Sequence, residues 1–142
     1  MYLRHAQGHM TTFVLATNSV HTSALLCDYL DDRLQAGDTV YAVNSQRGGD
    51  DTSAAEVRDG EDALNAVTAR LSGVADVETH QFVRENSPAE DVVGYAEEVD
   101  ADELVIGVRK RNPTSKVVFG SVAQDILLTA NRPMVVVPQE DV

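Results

Sequence analysis

The chain has 142 residues, 43% of them hydrophobic, enough for a single sizeable core and too few for a second domain. Asp and Glu number 23 against 11 Lys and Arg, a formal charge of -12, which argues against a general nucleic-acid or anionic-membrane surface because each needs a cationic face. A single cysteine, Cys27, excludes an intrachain disulfide and a multi-cysteine metal cluster.

Residues 1–10 hold Arg4, His5 and His9 and no apolar stretch; they read as a tail, either disordered or an added segment, since Met10 is itself a candidate start. The domain is expected over 11–142. Its first apolar run, Phe13-Val14-Leu15-Ala16, is too short for a signal peptide or a membrane span, so a cytoplasmic protein is expected. Thr12 to Ala16 predicts a buried strand, and Thr17-Asn18-Ser19 supplies turn and helix-cap residues. The following helix aligns Leu26, Leu30 and Leu34 with Ser23 and Cys27 on its apolar side, and Gly37 is expected to end it. Cys27 is then inert packing.

Thr39 to Val43 predicts a second strand that gives way to a polar loop, Asn44 to Asp51. A helix from about Thr52 to Leu71 aligns Val57, Leu64, Val67 and Leu71 and closes at Ser72-Gly73. Val77 to Arg84 predicts the third strand, Pro88 opens a helix to about Val99, and Glu103 to Gly107 predicts the fourth strand. After a long basic loop, Gly120-Ser121 starts a helix through Ala130, and Pro133 to Pro138 holds the fifth strand. Strict alternation of helices with continuous apolar strands implies an α/β domain: one open, doubly wound parallel sheet with helices on both faces. Its ligand crevice should lie beyond the carboxyl ends of the strands, at the switch point.

The segment from Gly107 to Ser121 carries four of the eleven bases, Arg109, Lys110, Arg111 and Lys116, including both lysines of the chain. No acid lies between Glu103 and Asp125, so taking these four charges from -12 leaves -16 on the rest of the molecule. Gly120 lets a ligand approach the backbone, the free N–H groups of the helix starting there point at an anion, and Ser121 adds a hydroxyl donor. Arg and Lys on the loop would neutralise a polyphosphate. The alternative is that the bases pair with acidic neighbours or a partner chain. Asn18 either hydrogen-bonds a base or ribose edge or caps the first helix, and Val43 either lines an adenine slot or belongs to the core. Asn86-Ser87-Pro88 reads as turn and helix-start chemistry. His21 and His80 are isolated, so no metal site is expected. Tyr29, Tyr41 and Tyr95 are scattered and form no stacking platform for single strands. G-x-x-x-x-G-K-[ST], G-x-G-x-x-G and G-x-S-x-G are all absent, and no catalytic residue is assigned.

Gly107, Gly120-Ser121, the Thr17-Asn18-Ser19 turn, Asn86-Ser87-Pro88-Ala89-Glu90 and Arg132-Pro133-Met134-Val135-Val136-Val137-Pro138 stand in the register of one family. From about Thr12 to Pro138 the chain resembles the universal stress proteins. Nucleotide-binding members carry G-x2-G-x9-G-[ST] after the fourth strand; here Gly107 and Gly120-Ser121 match, and the middle glycine is Lys110. A lysine there either blocks the loop's approach to the phosphates or substitutes a charge for a backbone contact. Asn18 stands where the family commonly has an Asp, keeping the hydrogen-bonding size and losing the charge.

The resemblance implies strand order 3-2-1-4-5 in a Rossmann-like sheet. It implies adenine and ribose near Ala16, Thr17, Asn18 and Val43, and phosphates near Gly107, Arg109, Lys110, Gly120, Ser121 and Val122. The ligand would be ATP or another adenine nucleotide, with Mg2+ entering only with it. A homodimer through Met134–Val137 is implied as well, and an apolar edge of this kind is usually covered. The acidic excess, spread along a lysine-poor chain, fits a halophilic setting. The function expected is a stress-response regulatory or sensor module that binds the nucleotide and at most hydrolyses it weakly. The alternative is a nucleotide-free dimer that docks protein partners through the basic loop.

Overall fold

The computed structural model describes residues 10–46, 52–83, 87–110, 117–118 and 120–140; within its strands, the side chains at 109, 110, 117, 118 and 140 lie outside that description. In chain order the elements are β1 (Thr12–Ala16), α1 (Val20–Asp31), β2 (Thr39–Gln46), α2 (Ala54–Leu71), β3 (Asp76–Val83), α3 (Pro88–Glu98), β4 (Glu103–Lys110), β5 (Val117–Val118), α4 (Ser121–Thr129) and β6 (Met134–Glu140). The expected tail, apart from Met10, and the bases Arg111 and Lys116 lie outside the described residues.

β1 pairs in parallel with β2 and β4, β2 with β3, and β4 with β6, giving the parallel order β3-β2-β1-β4-β6. This is the expected order 3-2-1-4-5, with β6 as the fifth strand. Side chains alternate between two cores. Phe13, Leu15, Val40, Ala42 and Val105 pack with Leu26 and Leu30 of α1 and Leu64, Val67 and Leu71 of α2. Val14, Val43, Leu104 and Ile106 face Val92 and Tyr95 of α3 and Ile126 of α4. Because helices cover both faces, inner-strand residues of either parity are apolar, and the strands lose the alternation of a half-exposed sheet.

Serines start three of the helices. Ser19 accepts from the Thr22 N–H, while Ser53 with Glu56 and Ser87 with Glu90 form reciprocal capping boxes. Pro88 follows its cap at the first helical position, so the helix start expected at Ser87-Pro88 holds, while Asn86 of the expected turn lies outside the described residues.

Several expected boundaries shift. α1 ends at Asp31, six residues before Gly37, which instead takes the turn into β2 with φ 96°. Leu34 lies past the helix end and is still buried. β2 does not stop at Val43: Asn44, Ser45 and Gln46 continue it, paired with Gln81, Phe82 and Val83 of β3. β4 runs past Gly107 to Lys110, held by β6 as far as Glu140. The basic loop contains β5, antiparallel to β4, with Arg109 opposite Val118 and Lys110 opposite Val117. Tyr41 and Tyr95 are not scattered in space: with His80 and Phe82 they form a cluster whose ring centroids lie 4.7–5.9 Å apart. It packs on the α3 side of β2 and β3.

Candidate functional site

The chain leaves β1 toward β2 on one side and returns to β4 on the other, so the sheet's switch point lies between β1 and β4, where their carboxyl ends diverge. A cavity of about 470 Å³ opens there. Ala16, Val43, Val92, Ile106, Ala123 and Ile126 supply an apolar wall, and Thr17, Asn18, Thr22, Ser45 and Gln139 supply polar groups. The cavity combines an apolar wall with a few hydrogen-bonding groups, the usual composition of a small-molecule site.

Of the ten residues singled out from the sequence, the structure brings eight to this cavity: Ala16, Thr17, Asn18, Val43, Gly107, Gly120, Ser121 and Val122. Arg109 and Lys110 are the last two residues of β4, just beyond cavity-lining Val108; their side chains lie outside the description. The lining residues that sequence reasoning missed include Thr22, Ser45, Pro88, Val92, Ile106, Val108, Ala123, Ile126 and Gln139. Thr22 left a signal, lying four residues beyond Asn18.

The glycines of this site are not required by the fold. Gly37 is the only described glycine with positive φ, so Gly107 and Gly120 hold backbone conformations open to any residue. A Cβ at Gly120 would meet nothing within 4 Å, and one at Gly107 would touch Thr22 Cγ2 at 3.4 Å, an ordinary contact. What both glycines do is leave the cavity room and expose backbone. α4 begins at Gly120 without a side-chain cap, unlike the three serine-capped helices, and its first turn (Ser121, Val122, Ala123) lines the cavity. Its first N–H groups therefore keep hydrogen-bonding capacity that an anion can use.

The β1–α1 turn is fixed by buried polar contacts. Thr17 N–H donates to the Val43 carbonyl at 3.0 Å, and Asn44 Nδ2 donates to the Thr17 carbonyl at 2.9 Å. Thr17 and Ser23 hydroxyls meet at 2.7 Å, and Ser23 donates to the Ala63 carbonyl of α2 at 2.7 Å. Ser19, not Asn18, caps α1, which leaves Asn18 exposed at the cavity with Oδ1 3.2 Å from Thr22 Oγ1. That arrangement removes the capping role that Asn18 could have had.

No described residue that lines the cavity has an acidic, basic or thiol side chain. The shifted groups lie elsewhere. Burial pushes the Cys27 thiol up to about 11 and the Tyr95 phenol up to about 12. Cys27 is fully buried in the α1–α2 core, as inert packing requires. The described walls supply shape and hydrogen bonds, which is the equipment of a binding site.

A family model described as the universal stress protein family matches residues 11–138. The structure of the universal stress protein from Archaeoglobus fulgidus superimposes with a TM-score of 0.72 at 34% identity, covering 89% of this chain and 98% of that one. A structure of the universal stress protein from the same organism in complex with dAMP gives a TM-score of 0.66 at 30% identity, covering 89% and 97%. A universal stress protein of Mycolicibacterium smegmatis is 35% identical over 55% of this chain and 68% of its own length. One of Methanocaldococcus jannaschii is 30% identical over 56% of this chain but only 46% of its own length, so this chain spans less than half of that relative.

Proposed function

Because the chain belongs to the universal stress protein family, we propose that the crevice between β1 and β4 binds an adenine nucleotide, ATP foremost, and that the protein works as a stress-response regulatory or sensor module. One observation carries this reading: a single cavity gathers an apolar slot, two glycines the fold does not need and the one described helix start without a side-chain cap. In this reading adenine lies against Val43 and Ala16, the ribose meets Thr17 and Asn18, and the phosphates run along Gly107, Arg109 and Lys110 to Gly120, Ser121 and Val122. The dAMP complex of the Archaeoglobus fulgidus relative supports the ligand class. Mg2+ enters with the nucleotide. A homodimer through Met134–Val137 in a halophilic cytoplasm completes the proposal.

Reversing the loop charges tests it. The double variant Lys110→Glu, Lys116→Glu is expected to lose most of its ATP affinity while its melting temperature stays near that of the unmodified chain; unchanged affinity would contradict the placement of the phosphates. A second reading, a nucleotide-free dimer docking an acidic partner, draws on one feature, Lys110 in place of the motif glycine. Nucleotide co-purifying with fresh protein would remove it.

A further inference from the structure

We propose that Ser45 is the specificity-determining residue for the base, an oriented acceptor for the exocyclic amino group of adenine that turns away a purine carrying an oxo group there, with Asp91 as the positioning residue behind it; this rests on the adenine-nucleotide reading above. Ser45 follows Val43 by two residues on β2, so the two side chains leave the strand on one face, toward α3, and both line the cavity. Val43 joins Val92 of α3 in the core on that face. At about 3.3 Å per residue Ser45 stands roughly 7 Å beyond Val43 along the strand, on the scale of a purine.

Its place across the sheet selects the base rather than the phosphates. β1 separates β2 from β4, so two strand spacings of about 4.8 Å put Ser45 roughly 10 Å across the sheet from the strand of Gly107, where the phosphates run in this reading. The neighbouring cavity side chains at the β2 and α3 end, Val43, Pro88 and Val92, carry no polar atom.

The direction of the Ser45 hydrogen bond is fixed by its partner. Ser45 Oγ donates to Asp91 Oδ2 at 2.7 Å, and Asp91, in the first turn of α3, is only 3% exposed. A carboxylate accepts and does not donate, so the one hydroxyl hydrogen is committed to Asp91 and the lone pairs of the oxygen are left for the cavity that Ser45 lines. The wall therefore presents an acceptor to a base edge. Adenine's amino group donates to it, whereas the oxo group of hypoxanthine or guanine sets acceptor against acceptor and leaves both unpaired, a mismatch that a hydrogen-bonding site rejects.

ATP and inosine triphosphate share ribose and phosphates and differ at this edge of the purine, so calorimetry with the two isolates the contact. The unmodified chain is expected to favour ATP, and Ser45→Ala to lower ATP affinity about tenfold, the loss of one hydrogen bond with a donor left unpaired, while inosine triphosphate affinity does not fall. Ser45→Thr keeps the hydroxyl and should keep the preference. Asp91→Asn supplies an amide N–H to Ser45 and frees the hydroxyl hydrogen for an oxo group, so its ATP-to-inosine-triphosphate ratio should move toward inosine triphosphate, a shift that a merely structural role of Asp91 does not produce. An equal fall for both nucleotides in Ser45→Ala, an unchanged ATP affinity there, or no preference for ATP in the unmodified chain would overturn the inference while leaving nucleotide binding intact. Should Ser45→Ala fail to fold, the Asp91→Asn ratio decides, and an unchanged ratio overturns it. Binding of neither nucleotide by the unmodified chain would overturn the adenine-nucleotide reading first, and this inference with it.

Discussion

Gly60 lies inside α2, where glycine is about 1 kcal/mol worse than alanine. A Cβ there would collide with Asn44 Oδ1 and Gln81 Nε2. Those amides have little freedom to yield: Asn44 is buried, donates to the Thr17 carbonyl and accepts from both Gln46 and Gln81. Gly60→Ala is therefore expected to lower stability by about 1–2 kcal/mol despite its better helix propensity, as overpacking does; a denaturant midpoint above that of the unmodified chain would contradict the clash. Gly120 is the opposite case. With φ -66° and open space around a built Cβ, Gly120→Ala should leave stability within about 1 kcal/mol, the lost backbone freedom of the unfolded chain offsetting a poorer cap. Its nucleotide affinity should fall, because the new methyl occupies the crevice.

Tyr95 predicts a pH effect with a defined sign. Burial favours its neutral phenol in the fold and moves it from 10.0 to about 12. The unfolded chain therefore releases that proton first, and stability should decline from about pH 10 until the folded phenol itself ionises near 12. Tyr95→Phe, followed by denaturation across that range, should flatten the decline; an identical slope would contradict it.

Among the elements, the helices were legible in the sequence because their information is local. Leu26 and Leu30, or Leu64, Val67 and Leu71, repeat at helical spacing, and Ser53 and Ser87 each precede a glutamate at the capping-box distance. Removing one cap, Ser87→Ala, should cost about 1 kcal/mol in chemical denaturation. Strand ends were not legible, since their causes are distant: Asn44, Ser45 and Gln46 are strand because β3 runs beside them, and β4 outlasts Gly107 because β6 does. β5 exists through two register pairs with β4. The same reason hid the aromatic cluster, whose members meet only when β2, β3 and α3 assemble.

The glycine side of the candidate site was legible through motif spacing, with Gly107, Gly120 and Ser121 falling on one cavity, whereas Ala16, Thr17, Asn18 and Val43 came from the family resemblance. Gln139 was not, because nothing local says that the end of the last strand folds back over Thr22, 117 residues away in the chain. Nor was the choice between Asn18 and Ser19 as the cap of α1, since both side chains suit the role and backbone geometry decides.

For the molecule as a whole, a charge of -12 implies self-repulsion that salt relieves, so the melting temperature should rise with KCl through the screening range. β6 borders only β4 among the described strands, leaving an apolar edge for a second copy. Light scattering at micromolar concentration is expected to give twice the 15.3 kDa chain mass; a monomer would contradict the proposed dimer.

A calorimetric titration with Mg-ATP in molar KCl measures whether the crevice takes a nucleotide. Saturable binding in the micromolar range is expected together with a rise in melting temperature, as linkage requires of a ligand that binds only the folded chain. Neither heat nor stabilisation at millimolar nucleotide would contradict it and leave the basic loop as a docking surface for a protein partner.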